Sequence, residues 1–145
     1  MNFPQDFKDF LRLLAAHCVD YAIVGGYAVA RHGHPRFTGD LDILIDPAPG
    51  NIGRLLETLQ EFGFGSLELT QNDFLRPERV VQLGVPPLRI DLLTSVDGVT
   101  NAEVFANRVI DRDAEMTVCF IGRDQLIKNK KATGRPKDIA DIEEL

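Results

Sequence analysis

Tryptophan is missing from this chain, cysteine is nearly so, and nowhere do apolar residues run on for long. The two cysteines, Cys18 and Cys119, form no closely spaced pair, which argues against a disulfide framework or a cysteine zinc site. Set among apolar neighbours, they are expected as buried thiols. No apolar stretch approaches the ~20 residues of a spanning helix, so no membrane association is expected. The amino terminus, MNFPQDFKDFLRLLAAHC, lacks the basic start and apolar run of a secretory signal, and a cytoplasmic protein is expected. Positive charge is also in short supply: 16 Lys and Arg against 22 Asp and Glu leave a net charge of -6. That balance argues against a surface that grips duplex nucleic acid by neutralising phosphates. Repeats, low-complexity tracts and long linkers are lacking too. With 44% hydrophobic and 26% charged residues, the 145-residue chain suits a single globular domain spanning residues 1–145.

What is present divides into short periodic segments. Phe3, Phe7, Phe10, Leu11, Leu14 and Ala15 recur at helical spacing behind Pro4, which predicts an amphipathic helix over residues 4–17. YAIVGG reads as a short strand ending in paired glycines, and YAVARHG as the helix after that turn, stopped by Gly33 and Pro35. Leu41 to Ile45 is a second strand, and Asp46 beside Pro47 is a turn residue. The spacing of Ile52, Leu55, Leu56, Leu59 and Phe62 predicts a helix over 51–62. Strands are expected near 65–69, at 79–84 and at 88–93. NAEVFANRV reads as a short helix, EMTVCFIG as a strand, and RDQLIKNKKA and KDIADIEEL as two helices split by TGRP. This order lacks the regular alternation of a doubly wound parallel sheet. An α/β (α+β) fold with a mixed β-sheet flanked by helices is therefore expected.

The stretch RFTGDLDILID places Asp40 and Asp42 two residues apart in a strand. Their side chains share one face while Leu41, Ile43 and Ile45 take the other, so acids can face a cleft as the apolar face enters the core. Unpaired, two such charges at 4 Å repel by about 1 kcal/mol in water and about 4 kcal/mol at an effective dielectric near 20. A hard divalent cation would turn that repulsion into binding. Upstream, the glycines of IVGG could turn backbone amides and a helix amino terminus toward a phosphate. Downstream, LRIDLLTS sets Asp91 in another strand, either as a third acid on the same cleft or as a partner for Arg89. His32 and His34 bracket Gly33 and read as polar loop residues.

Together these pieces resemble the nucleotidyltransferase superfamily to which DNA polymerase β belongs. The resemblance rests on Val24, Gly25 and Gly26, a spacer of 13 residues from Tyr27 to Gly39, then Asp40, Leu41, Asp42 and Ile43, with Asp91 beyond. The Arg36-x-Thr38-x-Asp40-Leu41-Asp42 block and the tail IGRDQLIKNKKATGRPKDIADIEEL look most like a minimal bacterial branch that includes abortive-infection and toxin–antitoxin proteins. The resemblance implies a minimal nucleotidyltransferase fold. It implies transfer of a nucleoside monophosphate from a nucleoside triphosphate to an acceptor hydroxyl on a protein, RNA or small molecule. It implies two magnesium ions, with manganese as a substitute: Asp40 and Asp42 hold both, and Asp91 holds the catalytic one. Gly25, Gly26, Arg36, Thr38, Lys128 and Lys131 are the nucleotide-binding candidates. A partner protein or a homodimer could complete so short a chain. Tyr27 stands where many active members carry Ser, which motivates a second expectation, a catalytically weak nucleotide-binding or interaction module of a toxin–antitoxin pair.

Overall fold

Pro4 and Asp6 open the first helix, α1 (Gln5–Ala16), whose inner stripe of Phe7, Phe10, Leu11 and Leu14 is fully buried. The computed structural model describes residues 3–35, 38–85, 88–113 and 116–145. Strand β1 (Tyr21–Val24) runs straight into α2 (Gly25–His32), and β2 (Asp40–Ile45) returns beside it. Then follow α3 (Pro49–Leu59), β3 (Val80–Val85), β4 (Leu88–Leu93) and α4 (Asn101–Ala106). The chain closes with β5 (Val109–Asp113), β6 (Met116–Phe120), α5 (Arg123–Thr133) and α6 (Pro136–Glu143).

The expected α+β arrangement with a mixed sheet is present. The sheet order is β3-β4-β2-β1-β6-β5. β2 lies antiparallel to β1 and parallel to β4, and the two edge strands each pair antiparallel with their neighbour. The acidic strand is thus held between the strand that leads into the glycines and the strand that carries Asp91. On one face, Leu41 and Ile43 stand beside Ile90 and Leu92, which stand beside Leu83 and Val81, and all six are buried. Burying each such side chain contributes about 1.5–3 kcal/mol, and this fixes the register that turns the acids to the opposite face. Buried Asn51 braces the far end of the acidic strand. Its Oδ1 accepts from the Asp20 N–H at 2.7 Å, and its Nδ2 donates to the Asp20 and Asp46 carbonyls at 3.0 and 2.8 Å. Asp46 is the expected turn residue, its carboxylate accepting from the Ala48 N–H.

Three expectations differ from the structure. Residues 65–69 are not a strand: tight helical turns continue from α3 through Leu67 because Gly63 takes a positive φ and Phe62 and Phe64 fold back in a ring stack that includes Phe10. Residues 109–113 form the edge strand β5, where a helix had been expected to run through Val109. Its sequence VIDRD hides the strand because an edge facing water carries charges and leaves Ile110 exposed. The cysteines are free thiols but not fully buried ones: Cys18 is exposed in the turn leaving α1 at φ 57°, and Cys119 is half-buried at the margin of the core. Among the described residues no helix is long and apolar enough to cross a membrane.

Candidate active site

The turn from β1 into α2 is built around the first acid pair. Gly25 has a φ of +69°, and a Cβ placed on it would collide with the Asp42 carboxylate. A Cβ on Gly26 would lie 3.2 Å from the Thr38 hydroxyl. Gly25 is therefore required by the strand that carries the acids, Gly26 packs tightly on Thr38, and together they bring the amino terminus of α2 against the head of β2. Gly25→Ala is expected to lower stability by about 1–3 kcal/mol through the left-handed backbone and the collision. It should also displace Asp42, and urea unfolding would register the combined loss.

Thr38 orders the approach to the acids: its hydroxyl lies 3.4 Å from the Asp40 N–H and 3.3 Å from the Asp40 carbonyl. Tyr27 supports the same segment. It is buried, its ring packs against Phe3 and Phe7, and its hydroxyl donates to the Thr38 carbonyl at 3.2 Å. Burial pushes the Tyr27 phenol up from its ordinary value. The Tyr27 hydroxyl thus serves the loop that carries Thr38. Tyr27→Phe is expected to cost about 0.5–1.5 kcal/mol in urea unfolding.

Asp40 lies beside Arg89 and Asp42 beside Asp91 across the parallel β2–β4 pairing. All four side chains therefore share one face. Asp91 pairs with Arg89 at 3.0 Å and stands beside Asp42 across the strand pairing. Arg89 also reaches Asp40 at 3.3 Å. Burial, then the charge and hydrogen bond of Asp91, then the charge of Asp40 push the Asp42 carboxyl up to about 6, against a smaller downward pull from Arg89. Hard carboxylate donors on one face suit a divalent cation in kind. Among the described residues, however, no three His, Cys, Asp or Glu side chains are gathered as a ready ligand group. The guanidinium stands between two of the acids.

A cleft of about 370 Å³ opens on this face, with Val24, Gly25, Gly26 and Asp42 on one wall and Asn129, Lys130, Thr133, Arg135 and Asp138 on another. Lys130 is the cation that the sequence reading missed. Its side chain is only 8% exposed, and its ammonium lies 3.4 Å from Asp138 and 3.1 Å from Asp141. Helical phase was the available signal, since Lys130 follows fully buried Leu126 by four residues and so shares its inner face. Lys128 points elsewhere, donating to Glu103 of α4 at 2.7 Å and, with Gln125, holding that carboxyl below its usual range. Lys131 is not among the residues lining the cleft. Arg36 lies outside the described residues. His32 is the last residue of α2 and not the loop residue expected, and its Nε2 donates a 2.7 Å hydrogen bond to the Ile121 carbonyl, a structural contact.

No protein-family profile matches the chain, and no curated protein is significantly similar to it. Solved structures are. A Thermotoga maritima protein provisionally named a nucleotidyltransferase superposes with a TM-score of 0.61 at 13% identity, over 94% of this chain and 88% of that one. An antigenic nucleotidyltransferase-like protein from Paracoccidioides brasiliensis gives 0.60 at 17% identity, over 96% of this chain and 73% of that one. At these identities the likeness speaks for architecture, and with the sheet order and glycine turn above, the chain has a nucleotidyltransferase-like fold.

Proposed function

We propose that the chain is a magnesium-dependent nucleotidyltransferase that moves a nucleoside monophosphate from a nucleoside triphosphate to an acceptor hydroxyl. The observation that carries the reading is the contact between Gly25 and Asp42: the phosphate-type turn and the acidic strand meet at one point of one cleft. Asp40, Asp42 and Asp91 would hold two divalent cations, magnesium or manganese, which when bound stabilise the attacking and leaving oxygens of an in-line displacement.

This chain's own residues divide the remaining work. The Gly25–Gly26 turn offers backbone N–H groups and the positive end of α2 to phosphate oxygens. Lys130 and Arg135, on the facing wall, are held in ion pairs with Asp138 and Asp141 and are the cations that would turn toward departing pyrophosphate. Asp91 has a buried oxygen, Oδ1, with no hydrogen bond, and is suited to take the proton of the attacking hydroxyl. The new bond joins that oxygen to the α-phosphorus as the bond to pyrophosphate breaks.

The test is to incubate the protein with each α-labelled nucleoside triphosphate, magnesium and cell extract. Label should pass to a macromolecule or small product with release of pyrophosphate. No transfer from any of the four, alongside no binding of a non-hydrolysable analogue, would overturn the reading. Binding without transfer would favour the second reading, a catalytically weak module of a toxin–antitoxin pair, for which the support is that Tyr27 gives its hydroxyl to Thr38 and not to the cleft.

A further inference from the structure

Arg89 stands among the carboxylates in the position a shared cation would take. One of its nitrogens, Nη2, lies 3.3 Å from Asp40 Oδ2 and 3.1 Å from Asp91 Oδ2, so a single positively charged atom touches oxygens of two different acids. A second, Nε, lies 3.0 Å from Asp91 Oδ1 without hydrogen-bond alignment, and both of these buried atoms are left with no hydrogen bond. Asp91, with 9% of its side chain exposed, therefore keeps a buried oxygen with acceptor capacity to spare at the inner end of a partly exposed cluster. A divalent cation takes carboxylate oxygens at about 2.0–2.6 Å. Guanidinium and metal cannot both fill the space between the same oxygens.

We infer that Arg89 is a resident counter-ion of the acid cluster, a placeholder that a divalent cation must displace, so that metal loading exchanges guanidinium for cation. The inference rests on reading Asp40, Asp42 and Asp91 as the metal ligands. It also accounts for the missing ready-made ligand group among the described residues: Asp40 and Asp91 are spaced around a guanidinium and not around a smaller ion. Cation affinity is thereby set low, because each metal bound gives up the Arg89 ion pairs. A residue that merely oriented the acids would have the opposite effect, since its removal would scatter the ligands.

Titration of the whole chain with Mn²⁺, followed by calorimetry and by electron paramagnetic resonance of the unbound ion, separates the two. Arg89→Gln is expected to bind Mn²⁺ about tenfold more tightly than wild type. Its melting temperature should be lower in EDTA and should rise more on adding Mn²⁺ than that of wild type. Arg89→Lys keeps a charge but loses the planar fork that sets two nitrogens against Asp91, so its affinity should fall between the two, and it carries the test if Arg89→Gln does not fold. A folded variant with equal or weaker Mn²⁺ binding than wild type overturns the inference. Absence of Mn²⁺ binding in wild type and both variants alike overturns the metal-ligand reading itself and the inference with it.

Discussion

Asp42→Asn is expected to abolish nucleotidyl transfer and, in the same molecule, to raise the melting temperature when divalent cations are withheld. The loss of activity follows from removing the acid that touches the glycine turn and lies beside Asp91, and should be on the order of 10³-fold. The gain in stability follows from the same geometry. Burial and the neighbouring Asp91 and Asp40 charges push the Asp42 carboxyl from 3.8 to about 6, so at neutral pH the folded chain carries a charge it would shed if it could. Removing that charge should stabilise the metal-free protein by on the order of 1–3 kcal/mol, several degrees in melting temperature. The sign of the pH dependence is fixed by the upward shift. Below pH 4 the carboxyl is largely protonated in both folded and unfolded chains and costs little. Between about 4 and 6 only the folded chain retains the proton, so stability falls as pH rises through that window and the destabilisation is complete above it. The advantage of Asp42→Asn in EDTA should therefore be small at pH 4 and full at pH 7.5. Saturating magnesium should narrow it, because binding stabilises wild type alone. A variant that melts below wild type in EDTA at pH 7.5 would refute the claim that this acid is held against its charge.

The acid pair was legible in sequence because a strand's period of two is strict: Asp40 and Asp42 could not share a face with Leu41 and Ile43. The same reasoning put Asp91 on one face with Arg89, but not which partner it would take, since that depends on the β2–β4 register, which no local pattern encodes. Register also explains the ion pair of Arg89 with Asp40, residues far apart in sequence and adjacent in space. Lys130 was misjudged for a different reason. Charge alone does not separate it from Lys128 and Lys131, the two lysines named as candidates. It faces the cleft because Leu126 four residues earlier anchors that face in the core. β5 escaped because an edge strand need not look apolar. The glycine turn was visible, but the reason it must be glycine, an acid carboxylate occupying the space of a Cβ, is a tertiary fact.

Asp138→Asn should have the largest effect on stability of any single change at the cleft, with nucleotide affinity falling alongside it. Asp138 is fully buried, and it accepts from four donors: the Arg135 backbone N–H at 3.2 Å, Arg135 Nε at 2.8 Å, Arg135 Nη2 at 3.2 Å and Lys130 Nζ at 3.4 Å. It caps the start of α6 and ties that helix to the inner face of α5. Hydrogen bonds from Arg135 first, then those from Thr133 and the Arg135 backbone and the Lys130 charge, hold its carboxyl far below the usual carboxylate range. Arg135 is 68% exposed, so its share in water is small. The buried Lys130 is the costly partner to lose. Replacing the carboxylate with an amide removes charge from a buried ion cluster, and about 3–5 kcal/mol is expected from urea unfolding at pH 7. Because the folded value is depressed, this stability is present above the ordinary carboxylate pKa near 4 and is lost as pH falls below it, so wild type and variant should converge in acid. Lys130 and Arg135 are the cations that Asp138 holds on the cleft wall, and loosening them should weaken triphosphate binding by about tenfold. A variant that melts with wild type at pH 7 and binds as tightly would show that the α5–α6 ion cluster supports neither the fold nor the cleft.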